Sequence, residues 1–260
     1  AASTMSTIVF FHAHPDDEAI FTGGTIARLA ELGHRSIVVF ATSGELGAGA
    51  GPELAAERQA EARSACAVLG AERPVFLDHV DSGLSPDPAS RPTGAFADCG
   101  VDLAARALAA TLEHIRADAL VTYDSGGVYG HPDHVQAHHV GRAAATIARL
   151  STWYEVTVDR EHLHFVDTHV AALAGDAMAA HFVDRAPAVG LSTVEISTTV
   201  DVSGALDRKL RAIAAHRSQV GDDPTFGAGA GFEAVYGTEW YVRHGERGLL
   251  DDLARAAQPT

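Results

Sequence analysis

Up to Leu150, strand-like and helix-like runs alternate along this chain, and that rhythm constrains the fold more than any other feature. Thr7–Phe11 reads as a strand, buried over Ile8–Phe11, and Thr22–Leu32 as a helix ended by Gly33. A second strand follows at Arg35–Ala41, then a helix at Leu54–Leu69 that stops at Gly70. Pro74–Leu77 is a short third strand, and a Pro/Gly-rich loop covers roughly Asp78–Gly100. Val101–Ala117 is helical, Ala119–Tyr123 is a fourth strand, and Pro132–Leu150 is a helix with proline in its first turn. Strands separated by helices of this length form βαβ units, which predicts an α/β fold with a Rossmann-like, mostly parallel sheet flanked by helices. Beyond Ser151 the rhythm weakens. Val194–Val200 is expected as a strand, Ser203–Arg217 as a helix capped by Ser203, and the Gly-rich stretch Gly221–Gly231 as mobile.

The 260 residues are 47% hydrophobic and 20% charged, enough for one large domain over the whole chain with a well-buried core. Ala1–Thr4, ahead of Met5, read as a vector-derived remnant. A formal charge of −15 disfavours nucleic acid and anionic membranes, which both attract basic patches. Charges interrupt every apolar run well before the ~18 residues of a membrane span, and no signal-peptide pattern occurs. Cys66 and Cys99 lack metal-type spacing and fit a reducing cytoplasm, the predicted location. A homo-oligomer is left open.

Chemistry concentrates in two clusters, His14-Pro15-Asp16-Asp17-Glu18 and His131-Pro132-Asp133-His134. Each follows a strand and opens a helix, so each sits at the carboxyl end of a strand, where open α/β sheets form ligand crevices. Brought together there, they would hold a metal. Carboxylates at a helix start also cap free N–H groups, which for Glu18 alone is an equally good account. It does not explain His14, nor the recurrence of the same setting at His131 and His134. His138, one turn beyond His134, is a second-choice ligand, and His12 reads as support. The Gly44–Gly51 stretch lacks the phosphate-binding glycine order and reads as a flexible rim. No Gly-x-Ser-x-Gly elbow occurs.

These residues resemble the LmbE-like zinc deacetylases, also called the PIG-L or N-acetylglucosaminylphosphatidylinositol deacetylase family. Thr42-Ser43-Gly44-Glu45, Arg58-x-x-Glu61, Asp81-Ser82-Gly83-Leu84, Tyr129-Gly130 and Ala215-His216-Arg217-Ser218-Gln219 extend the similarity over almost the whole chain. The runs around Asp81 and Tyr129 look most like the mycothiol-pathway branch, which holds a deacetylase of glucosaminyl-inositol and an amidase of mycothiol conjugates.

The resemblance implies His14, Asp17 and His134 as ligands of one Zn²⁺ per chain, with a position open for water; iron or cobalt would support the same chemistry. It implies Asp16 as general base and His131, as a cation, on the oxyanion, with Asp133 holding the His131 ring and Tyr129 adding a hydrogen bond. The expected reaction is hydrolysis of the 2-acetamido group of an N-acetylglucosaminyl conjugate, a small-molecule partner. Arg58 and Asp81 are expected on sugar hydroxyls, and Phe21 on the aglycone side, favouring an apolar or aromatic group over bare inositol. The rivals are an amidase of a mycothiol-like conjugate, a two-metal phosphoesterase and a non-catalytic nucleotide-binding module, the last weakened by the missing glycine fingerprint.

Overall fold

A computed structural model of the chain describes residues 5–85, 87–166, 189–221 and 230–256. Five parallel strands, β1 (Thr7–His12), β2 (Arg35–Thr42), β3 (Val75–His79), β4 (Ala119–Tyr123) and β5 (Thr152–Thr157), are joined by β6 (Thr198–Asp201) and β7 (Thr238–Gly245). The spatial order is β3-β2-β1-β4-β5-β7-β6, with β7 antiparallel to both its neighbours. β1 is central and buried throughout, as a parallel strand covered on both faces must be. Phe10 lies beside Val38 on one flank and Val121 on the other.

The described helices are α1 (Asp17–Phe21), α2 (Gly23–Glu31), α3 (Leu54–Leu69), α4 (Val101–Ile115), α5 (Gly127–Gly130), α6 (Pro132–Ile147) and α7 (Arg160–Phe165), then α8 (Leu206–Ile213), α9 (Arg217–Val220), α10 (Ala230–Tyr236) and α11 (Leu249–Ala256). α8 packs on α2 and α3, and α4 packs on α6. Right-handed crossovers put these two groups on opposite faces of the sheet. The chain reverses its direction of growth between β1 and β4, so their carboxyl ends border a switch-point crevice.

The predicted α/β class is what forms, with local differences. α6 stops at Ile147 and α4 at Ile115, where Arg116 turns left-handed at φ 59°. The expected strand at Val194–Val200 is a 3₁₀ turn, Thr193–Glu195, followed by β6. Ser203 does not cap a long helix: it sits inside a 3₁₀ turn, Ser203–Ala205, and α8 ends at Ile213. β5 and β7 were not anticipated. Residues 222–229, most of the segment expected to be mobile, lie outside the described residues.

Candidate metal centre and active site

Both clusters rest on backbone that the sequence alone would not choose. Asp16 has φ 114°, a region non-glycine residues rarely adopt. Three groups hold it there. Its own N–H donates to Glu18 Oε2 at 2.9 Å, its carbonyl accepts from Ala19 and Ile20, and Arg58 clamps the turn. The buried Arg58 guanidinium donates to Pro15 O, to Gly44 O at 2.8 Å and to Asp16 Oδ2 at 3.0 Å. It pairs with neither glutamate of its own helix. On the other side, Asp124 organises the turn after β4 by accepting from Gly126 N, Val128 N and Thr157 Oγ1. Gly127 has φ 60°, and a Cβ there would stand 2.6 Å from His134 Cβ.

The fold brings His14, Asp17 and His134 together. Asp17 Oδ2 lies 3.4 Å from His14 Nδ1 and 3.3 Å from His134 Nε2. His134 Nδ1 is 3.2 Å from Gly127 O, which assigns its hydrogen to that nitrogen. The buried Nε2 then has no hydrogen-bond partner and points a lone pair at a carboxylate oxygen. Two acceptors this close need a cation between them, so the donor set fits a metal. His14 Nε2 meets Asp133 Oδ2 at 3.1 Å and Asp81 Oδ1 at 3.7 Å. A carboxylate on the distal nitrogen leaves Nδ1 free to ligate.

Asp16 is pushed up to about pH 6, by burial first and Asp17 second, against the pull of Arg58. That is a useful range for a group exchanging protons near neutrality.

The second cluster departs from two expectations. The Asp133 carboxylate does not hold the His131 ring. It accepts from Ser82 N at 3.0 Å, Ser82 Oγ at 2.5 Å and His14 Nε2, while the Asp133 backbone N–H donates to His131 Nδ1 at 3.1 Å. The His131 hydrogen therefore belongs on Nε2. The Asp133 N–H on Nδ1 leaves that nitrogen without a hydrogen, and burial pushes the ring down to about 3, so it is a neutral donor here and not the expected cation. The rings of His14 and His131 meet edge-on at 4.7 Å.

The remaining expected residues distribute unevenly. Asp81 is buried and accepts from Leu46 N at 3.0 Å and Gly83 N at 2.8 Å. Tyr129 stands edge-on to His134 at 4.9 Å and lines a cleft of about 550 Å³ with Leu84, Arg91, His131, Gln136 and His139. Phe21 lines a separate pocket with Lys209 and Trp240, behind the His134 and Tyr123 rings, rather than that cleft. His138 turns away to Tyr123 O at 3.1 Å and Glu155 at 3.3 Å. A second group of possible ligands, His14, Asp81 and Asp133, shares His14 with the first, and its two carboxylates already accept two and three protein hydrogens, which counts against the two-metal rival.

Sequence reasoning missed Tyr123, Asp124, Ser82 and the buried pair Glu18–His216, which closes at 2.6 Å. Tyr123 carried a signal, as the last residue of a strand ending at the crevice. His216 lay in a segment noticed for its resemblance but given no role.

The family model for GlcNAc-PI de-N-acetylase (PIG-L) matches residues 9–145. A 1D-myo-inositol 2-acetamido-2-deoxy-alpha-D-glucopyranoside deacetylase from Rhodococcus opacus is 37% identical over 82% of this chain and 81% of its own. One of the same name from Acidothermus cellulolyticus is 34% identical over 92% and 88%. Among solved structures, N,N'-diacetylchitobiose deacetylase from Pyrococcus horikoshii superposes with TM-score 0.60 at 22% identity, covering 93% of this chain and 85% of that one. The 4-carboxy-2-hydroxymuconate hydratase GalB from Pseudomonas putida gives 0.61 at 17%, covering 94% and 98%. These two likenesses speak for the fold, the sequence relatives for the lineage: the chain belongs to the PIG-L family.

Proposed function

We propose that this chain is a zinc-dependent N-deacetylase that hydrolyses the 2-acetamido group of an N-acetylglucosaminyl conjugate, with glucosaminyl-inositol as the first conjugate to test. The observation that carries the reading is Asp17 Oδ2, set between nitrogens of His14 and His134 and adjacent to Asp16. The relatives of 34–37% identity, whose names specify that amino-sugar bond, support the substrate class. His14, Asp17 and His134 would hold the ion. When bound, it polarises the acetamide carbonyl and acidifies water.

The protein's own groups do the rest. Asp16 accepts the proton of the attacking water, and Arg58 keeps it aimed by bonding one of its oxygens. Neutral His131 offers Nε2–H to the carbonyl oxygen as negative charge builds there, with Tyr129 beside it. Protonated Asp16 then delivers its proton to the departing amine, leaving acetate and a free amino sugar. Arg58 serves the sugar indirectly, through the Asp16 turn, and Asp81 does so through the loop it ties to Leu46. Tyr129 and Leu84 present the cleft to the aglycone.

The test is acetate release from N-acetylglucosamine, its inositol conjugate and an aryl glycoside, before and after chelation and zinc repletion. Zinc-dependent release from a conjugate supports the reading. No acetate from any of the three overturns it.

A further inference from the structure

We propose that His12 and Tyr123 are a positioning pair for the metal ligands: a one-way chain of hydrogen bonds runs from Thr22 through the His12 ring to the Tyr123 hydroxyl and orients Asp17, while the Tyr123 ring orients His134. The inference rests on the metal-binding part of the reading above.

Tyr123 is fully buried at the carboxyl end of β4. Its hydroxyl lies 2.8 Å from Asp17 Oδ2, 2.9 Å from Ala13 N and 3.2 Å from His12 Nδ1. His12 Nε2 is 2.9 Å from Thr22 Oγ1, which in turn is 3.0 Å from Glu18 O. The Tyr123 and His134 rings stack at 4.3 Å, 22° from parallel.

Counting hydrogens fixes the direction. Four links join Asp17, Tyr123, His12, Thr22 and the Glu18 carbonyl, and both end groups only accept. The His12 ring is fully buried and meets a neutral hydroxyl, rather than a carboxylate, at each nitrogen, so it is held neutral and brings one hydrogen. Each hydroxyl brings one more, so one link stays empty. The Glu18 carbonyl already accepts the Thr22 N–H at 3.2 Å, and its link is the one that needs no second hydrogen. An empty link anywhere else would leave a buried acceptor unmet: a His12 nitrogen at either of its two links, or the Asp17 carboxylate facing a hydroxyl lone pair at 2.8 Å. Thr22 Oγ1–H therefore donates to His12 Nε2, His12 Nδ1–H to the Tyr123 oxygen, and Tyr123 O–H to Asp17. The tyrosine oxygen then accepts twice, from His12 and Ala13, and donates once, which fills its capacity.

Two measurements test this. The first is zinc affinity of metal-stripped protein, titrated against a chromophoric chelator. Tyr123→Phe keeps the ring stack and should weaken zinc by about 10–100-fold, the usual effect of removing a partner behind a metal ligand. His12→Ala should fall similarly. His12→Asn, with its amide near the Nδ1 position, should recover most of the loss, and His12→Gln, with its amide near Nε2, should not. The second is the ¹⁵N spectrum of the His12 ring in the wild-type protein, expected to show the hydrogen on Nδ1 even if a variant fails to fold. Wild-type zinc affinity in Tyr123→Phe overturns the pair, as does rescue by Gln instead of Asn, or a hydrogen on Nε2. If acetate release stays zinc-dependent when this happens, only this inference falls. A wild-type chain that takes up no zinc overturns it together with the metal reading.

Discussion

Asp16 and Asp133 are each neighbours of a residue in the proposed ligand set, yet the fold gives them separate tasks. The Asp16 side chain keeps 20% exposure and is bonded to Arg58, whereas that of Asp133 is fully sealed beneath His14. Asp16→Asn should therefore keep the metal and lose about 10²–10⁴-fold in turnover, because an amide takes up no proton. Metal analysis beside steady-state rates checks this, and near-normal turnover would reject it. Asp133→Asn should behave as a metal-affinity variant, weakening zinc about 10-fold or more, since it alters the partner of His14 Nε2. His131→Ala should retain zinc and lose rate. The reverse outcome would return Asp133 to the role the sequence suggested. The residue types that gather in the crevice were legible because two clusters stood at strand ends. The partner of Asp133 was not: its contacts with Ser82 and His14 span 51 and 119 residues, and no local spacing announces them.

At the scale of elements, β5 and α6 share a buried charge cluster. Glu155 on β5 sits between His138 on α6, at 3.3 Å, and His244 on β7, at 3.2 Å. Burial opposes charge on His138 and Glu155, but their pairing outweighs it. His138 is raised and Glu155 lowered from their ordinary values. The raised histidine stabilises fully below its unfolded pKa of about 6.5, and its contribution is lost as pH rises through the folded value. The depressed glutamate stabilises above about 4.3 and is lost as pH falls through its folded value. The cluster should thus contribute most between about pH 4.3 and 6.5. His138→Gln should flatten the fall in urea midpoint as pH rises above about 6.5. Equal falls in both proteins would reject the pairing. The same cluster explains why β5 escaped notice: Thr152–Thr157 carries a glutamate and two threonines where a buried parallel strand is expected to be apolar, and their partners lie in other elements.

For the molecule as a whole, likeness in fold to a hydratase as well as to a deacetylase means that architecture alone does not select the reaction. What architecture does is bind the two ends of the chain into one body. Glu239 on β7 accepts from Gly24 N and Thr25 N, both at 2.8 Å, at the start of α2, and its charge is met by buried Lys209 at 2.7 Å. Lys209→Ala should cost about 3–5 kcal/mol, because it leaves a carboxylate buried without its counter-charge. Urea denaturation measures the loss, and pairing the change with Glu239→Gln should recover part of it. A cost near zero would show that water reaches the site. The parallel half of the sheet was legible from its βαβ rhythm, whereas the antiparallel β7 and its tie to α2 were not, since the cap for α2 lies 215 residues downstream.

That separation has a consequence for how the protein is made. During synthesis the first turn of α2 waits, with two amides unsatisfied, until the strand 215 residues downstream has left the ribosome. Pairing so distant in sequence is slow to form, and the central strands stay exposed to one another's wrong partners meanwhile. Loss of the last strand, though remote from every proposed metal ligand, should accordingly show itself as aggregation of newly made chains rather than as a folded enzyme with a damaged site.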